Sequence, residues 1–162
     1  MTVALFLGRF QPFHNGHLWA VRKILKTNKN ILIVLGSSQG YRTQKDPFSV
    51  SERRRMVAAA LGHAGIKRFS LHAVPDIPQD SLYVKHVETR VPAFDRVYSG
   101  NSLVLRLFKR AGYPVVKLDI YRNINATAIR ARLLKRKAVS LPPPIGPIVK
   151  KLFLESSKKR NI

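Results

Sequence analysis

The 162-residue sequence contains no cysteine, which excludes disulfides and any thiolate-ligated zinc centre. The absence fits a reducing compartment. Acidic side chains are scarce: eight Asp and Glu stand against thirty Lys and Arg, a formal net charge of +22. No apolar run reaches the length needed to span a bilayer. The start, MTVALFLGRF, lacks the basic segment, long apolar stretch and cleavage site of a secretory signal, so a cytoplasmic location is expected, with no membrane partner.

What is present is a 45% apolar composition, enough for one core. A single α/β domain is expected over 1–155, with 156–162 as a basic tail expected to fray. Basic residues recur at 22–29, 53–55, 106–110, 130–137 and 150–160, so they do not form one appended arm. Two readings of that charge stand side by side: a solvated surface bias, or attraction of polyanions without sequence preference.

Short apolar runs at 3–7, 30–36, 69–74, 96–98 and 114–118 read as strands. Helical spacing appears at 16–27, 49–61, 81–90, 102–110, 126–136 and 145–155, with Ser49 and Glu52 spaced as a capping box. No internal repeat is seen. Alternating strands and helices predict a Rossmann-like open parallel sheet with helices on both faces, whose ligands sit at the carboxyl ends of the strands. The loops to inspect are then 8–17, 36–48, 75–80, 99–102 and 119–127.

The richest of these loops reads Gly8-Arg9-Phe10-Gln11-Pro12-Phe13-His14-Asn15-Gly16-His17, between the first strand and the first helix. His14 and His17 are three apart and can share one face at a helix start, where unpaired N–H groups already favour phosphate. Two imidazoles there suit a phosphorus centre gaining negative charge; the competing reading is a pair of structural histidines. A metal would need a third ligand, and no nearby cysteine or acidic cluster supplies one, so no protein metal ligand is assigned.

This segment resembles the HxGH signature of the nucleotidylyltransferase superfamily, and its longer GRFQPFHxGH form is similar to the archaeal-type nicotinamide mononucleotide (NMN) adenylyltransferases. The resemblance continues in order at Gly36-Ser37-Ser38-Gln39, Asp46-Pro47-Phe48 with Glu52-Arg53, and Pro75-Asp76-Ile77. It goes on at Val91-Pro92, Phe94-Asp95 and Ser99-Gly100-Asn101, and ends at Ile124-Asn125-Ala126-Thr127-Ala128-Ile129-Arg130, similar to the family's ISxTxIR. It covers about residues 3–150.

The resemblance implies a reaction: the phosphate of NMN attacks the α-phosphorus of ATP in line, giving NAD and pyrophosphate. It also implies Mg²⁺ carried by the ATP phosphates, and a homo-oligomer, a hexamer in many archaeal relatives. By resemblance His14, His17 and Arg130 are the catalytic set, and Gly8, Arg9, Phe10, Gly16, Ser99, Gly100, Asn101, Asn125 and Thr127 hold ATP. Lys45, Asp76, Asp80 and Tyr83 fall on the acceptor side. Four positions have a plainer alternative: Asn101 as a helix cap, Asp76 as a buried structural carboxylate, Lys45 as a loop lysine, and Arg130 as part of a solvated basic face with Arg132, Lys135 and Arg136.

The chain departs from the family at three places. Asn125 stands where serine is usual, Tyr83 where a tryptophan is common, and Asp80 where asparagine is common. These departures bear on the acceptor more than on ATP. The alternatives are therefore a nucleotidylyltransferase with another phosphorylated acceptor, such as FMN, phosphopantetheine or a polyol phosphate with CTP, and a basic nucleic-acid-binding protein on the same scaffold.

Overall fold

The computed structural model describes residues 2–119 and 121–160, and the apolar runs become its strands. These are β1 (Val3–Gly8), β2 (Asn30–Leu35), β3 (Phe69–Ala73), β4 (Arg96–Ser99) and β5 (Val115–Lys117). The helices are α1 (Asn15–Ile24), α2 (Val50–His63), α3 (Tyr83–Glu88), α4 (Ser102–Arg110), α5 (Ala126–Leu134) and α6 (Gly146–Arg160). The chain divides into two compact units: Met1–Arg9, Ala20–Ser38 and Arg68–Asp119 in the first, and Phe10–Trp19, Gln39–Lys67 and Ile120–Ile162 in the second.

The first unit holds the whole sheet, all parallel, in the order β3-β2-β1-β4-β5. In β1 the interior residues Ala4, Leu5, Phe6 and Leu7 are all buried, as a strand covered on both faces requires. Successive side chains point to opposite faces, so Leu5 and Leu7 share one face. There they join Leu32, Val34, Val74, Val87, Val97, Val104 and Phe108 in one apolar cluster. Because β1 lies between β2 and β4, the strand order reverses beside it. The carboxyl ends of β1 and β4 therefore flank the switch point where such sheets bind ligands.

Local chemistry sets the helix ends. The spacing over 16–27 predicts a longer first helix, but α1 stops at Ile24: the Lys26 and Thr27 N–H groups turn to carbonyls three residues back, at 3.2 Å each, and the Asn28 side-chain amide closes the end by donating to the Ile24 carbonyl at 2.8 Å. The expected helix over 81–90 is a 3₁₀ turn (Asp80–Leu82) followed by the short α3. The Gln79 side chain offers no cap to that start, so the chain enters through the tighter turn. Strand β5 begins after Pro114, which has no N–H to give a ladder. α4 is followed, after its cap Ala111, by Gly112, whose φ of +89° is the left-handed conformation that glycine adopts without strain.

The second unit is helical. Its buried side chains include Phe13, Phe48, Met56, Val57, Leu61, Ile129, Leu133, Ile145, Val149 and Phe153, and α2 packs against the 3₁₀ turn Pro143–Ile145. The Ser49–Glu52 capping box forms: Ser49 Oγ accepts from the Glu52 N–H at 3.3 Å, and Glu52 Oε2 accepts from the Ser49 N–H at 2.8 Å. Glu52 also takes a two-pronged bond from Arg42, at 2.7 and 3.0 Å.

Burial by itself raises the Glu52 pKa, but the bonds from Arg42 and Ser49 outweigh it and hold the carboxyl below its usual range. A lowered folded pKa stabilises above the unfolded pKa and is lost as pH falls through the folded one. Glu52→Ala is therefore expected to cost about 1–2 kcal/mol in thermal or urea melts near neutral pH. The difference from wild type should shrink below about pH 4; a difference that does not change with pH would contradict this account.

Candidate active site

In the second unit, Phe10 leaves β1's loop with a φ of +52°, and its ring is buried. The ring lies edge-on to His17, with centroids 4.8 Å apart, while Phe13 packs on His17 at 5.4 Å. The His14 and His17 rings stack at 3.6 Å with an 18° interplanar angle. Side chains three apart at a helix start meet in this way. A Cβ at position 16 would stand 3.0 Å from the His14 ring, so any larger residue there would press on that ring. The Phe10 side chain is thus a support for His17, and its backbone is what it can offer a ligand.

The two backbones fix the protons. His14 N–H donates to His17 Nδ1 at 3.2 Å, and His17 N–H donates to His14 Nδ1 at 3.3 Å. An Nδ1 that accepts carries no proton, so each neutral ring bears its hydrogen on Nε2 and is a donor there. Burial lowers the His14 pKa to about 4. Burial, and then the neighbouring His14, hold His17 well below the usual imidazole value. Both rings are therefore neutral near pH 7, two dipolar donors rather than two cations.

Arg130, on α5, is anchored beside them. Its Nη1 donates to the Gln11 carbonyl at 2.8 Å and its Nη2 to Thr127 Oγ1 at 3.2 Å. Asn125 caps α5, its Oδ1 accepting from the Ala128 N–H at 2.8 Å. The carbonyl of Ile124 lies 3.5 Å from where a Cβ on Gly16 would stand, so the segment before α5 runs next to the histidine loop. His14, Gly16, His17, Asn125, Thr127 and Arg130 thus form one connected group. Lys45 is exposed at the tip of a turn in which Asp46 N–H bonds Thr43 Oγ1 at 2.9 Å. The base of that turn is held by Arg42, which bonds Glu52 and the Pro47 carbonyl.

In the first unit, Gly8 and the exposed Arg9 follow β1, and Ser99, Gly100 and Asn101 follow β4. Buried Ser99 donates from Oγ to the Leu7 carbonyl at 3.0 Å and accepts from the Asn101 N–H at 3.1 Å, which ties the two strand ends together. Asn101 caps α4, accepting from Leu103 and Val104 N–H at 2.9 and 3.4 Å. Gly100 is exposed and open, with nothing within 4 Å of an added Cβ.

Of the residues expected on the acceptor side, Asp76, Asp80 and Tyr83 follow β3, three strand spacings from β4, roughly 14 Å away. Asp76 and Asp80 are both exposed, so Asp76 is no buried structural carboxylate. Tyr83 packs against the core cluster with its ring edge-on to Phe108. Burial and the charge of Asp76 push its hydroxyl up to about 12, so it stays protonated.

Two residues at these sites carry no sequence signal of their own. Gln11 lies inside the quoted motif, but its side chain turns inward: it is 1% exposed and bonds both backbone groups of Phe48. His86 Nε2 is 2.9 Å from the Pro75 carbonyl and joins α3 to the segment that presents Asp76. Only the three-dimensional pairing reveals either role.

Residues 5–132 match the cytidylyltransferase-like family. The chain is 37% identical over 150 residues to a nicotinamide-nucleotide adenylyltransferase of Picrophilus torridus, covering 90% of this chain and 89% of that protein. It is 44% identical over 135 residues to the protein of that name from Thermococcus sibiricus, covering 81% and 73%. The one from Methanosarcina mazei is 35% identical, covering 100% and 95%. Among solved structures, a bifunctional NMN adenylyltransferase/ADP ribose pyrophosphatase from Francisella tularensis matches with a TM-score of 0.70 at 27% identity; the match covers 86% of this chain but only 44% of that longer one. The sheet, the histidine loop and these similarities converge: the chain belongs to the cytidylyltransferase-like nucleotidyltransferases, in the family of the archaeal nicotinamide-nucleotide adenylyltransferases.

Proposed function

We propose that this chain transfers the adenylyl group of ATP to NMN, the last bond-forming step in making NAD. An oxygen of the NMN phosphate bonds to the α-phosphorus of ATP as the bond to the bridging oxygen breaks, and pyrophosphate leaves with that electron pair. The observation that carries the reading is the stacked His14–His17 pair, neutral and with both Nδ1 atoms engaged by backbone N–H groups.

The residues divide the work. The two Nε2–H donors stabilise negative charge that grows on the phosphoryl oxygens in the transition state. Arg130, with Thr127 and the α5 N-terminus, holds the β and γ phosphates. Arg9, Gly8 and the Ser99–Asn101 turn bind the rest of ATP at the sheet's switch point. Lys45 takes the NMN phosphate, while Asp76, Asp80 and Tyr83 face its base. Mg²⁺ carried on the ATP phosphates would supply charge neutralisation for the departing pyrophosphate, with Arg130 and Thr127 beside it. Among the described residues no three His, Cys, Asp or Glu side chains stand together as a metal site of the protein.

The test supplies ATP, Mg²⁺ and NMN and reads NAD by a coupled dehydrogenase. Replacing both histidines with alanine should lower kcat by about a hundredfold or more, while circular dichroism stays native. Near-normal turnover in that double variant would refute the mechanism. Pyrophosphate release with another phosphorylated acceptor, but no NAD with NMN, would move the acceptor assignment and leave the chemistry.

Charge state gives a second prediction. Because the folded pKa of His14 is lowered to about 4, the unfolded chain takes up a proton that the folded chain refuses. Stability should therefore fall as pH drops from about 6.5 towards 4, by on the order of 3 kcal/mol from His14. His14→Asn should flatten that decline, as read from melts at a series of pH values. The rate should hold level between about pH 6 and 8, since neither ring titrates there. A rate that follows a pKa near 6.5 would instead mean a charged imidazole in the working enzyme.

A further inference from the structure

We infer that Gln11 is a positioning residue for this reaction, a point through which the histidine loop, the Lys45 turn and Arg130 are held in one register. The inference rests on the function proposed above and deepens it. Gln11 is 1% exposed, and both ends of its side-chain amide and its own carbonyl are engaged. Its Nε2 donates to the Phe48 carbonyl at 2.9 Å, and its Oε1 accepts from the Phe48 N–H at 3.0 Å. Its own carbonyl accepts from Arg130 Nη1 at 2.8 Å.

Each bond leads to a different part of the site. Phe48 is fully buried and directly precedes Ser49, the cap of α2, so holding Phe48 sets where the 43–48 turn re-enters the helix. The Arg42 bond to the Pro47 carbonyl closes the same turn from its other end, with Lys45 between. On the other side, Gln11 is separated from His14 only by Pro12 and the buried Phe13. The Gln11 carbonyl therefore fixes the distance between the imidazole pair and the guanidinium. A shift of the Gln11 backbone moves the groups that act on the α-phosphorus relative to those that hold the β and γ phosphates. Misplacement of that kind lowers the rate of the bound complex more than it weakens binding.

The experiment uses the full chain with three variants: Gln11→Met, which keeps an unbranched side chain and loses both bonds to Phe48; Gln11→Glu, which keeps the acceptor; and Arg130→Lys. Wild-type turnover is measured alongside, so that absence of NAD from the unaltered protein counts against the function, and only differences between folded variants count against Gln11. Gln11→Met should lower kcat about tenfold or more well below its melting temperature, with KM for ATP changed less than about threefold. In the Arg130→Lys background the same change should cost less than about threefold, because the group it aligns is already altered. If Gln11→Met does not fold, Gln11→Glu carries the same reading. Its kcat should be low near pH 8 and approach wild type near pH 6, as a protonated carboxyl regains a donor for the Phe48 carbonyl. A kcat within about twofold of wild type in either folded variant near pH 8, or an undiminished loss in the Arg130→Lys background, overturns the assignment.

Discussion

The helical unit is organised around one buried amide. Gln11 satisfies the N–H and the C=O of Phe48 at once, which a backbone segment with no strand or helix partner at that point otherwise could not do. A buried peptide group left unpaired costs far more than an average hydrogen bond contributes. The pairing is therefore a condition for burying Phe48, and Phe48 in turn lies against Phe153 of α6, with ring centroids 6.2 Å apart. From this one contact the start of α2, the turn before it and the seat of α6 all take their positions.

The sheet unit solves a different problem. Its central strand is buried on both faces, so every backbone group must be met by a neighbouring strand, and only the strand ends are open for chemistry. Ser99 shows how such an end is finished. Its hydroxyl donates to Leu7 of β1 and accepts from Asn101, so one side chain closes the end of two strands and starts the next helix. Asn125 and Asn101 cap α5 and α4 in the same manner, each turning the chain into a helix at a strand-end loop.

Much of this was legible in the sequence, for a simple reason: buried parallel strands are short apolar runs, and loops between them are not. VALFL and NILIVL could be little else, and the placement of His14 and His17 before a helical pattern required only counting. The capping box at Ser49 and Glu52 was equally plain. Burial of polar groups was not. Gln11 between Phe10 and Pro12 looks like any loop glutamine, and nothing in its neighbours announces Phe48, thirty-seven positions away. Whether Asp76 was buried or exposed, and whether Tyr83 faced solvent or Phe108, likewise depended on packing between α3 and α4. The end of α1 falls short of Thr27 because the chain tightens at Lys26 and Thr27 and the Asn28 side chain closes on Ile24, local choices that periodicity does not encode.

The chain carries +22 overall, yet the centre proposed for its reaction is built around a pair of uncharged rings. That contrast bears on turnover. A site made of fixed cations grips any phosphate, product included, about as firmly as it grips the transition state. Dipoles held by backbone bonds interact weakly with a resting ester and more strongly as charge accumulates, which is the difference that accelerates a step. Once the new bond is formed the charge moves away with pyrophosphate, whose hold on the proposed assignment falls to Arg130, Thr127 and the α5 N-terminus and not to the imidazoles. On the proposed mechanism, the backbone locks on the two Nδ1 atoms favour the reacting state without adding to the grip on either resting substrate or product.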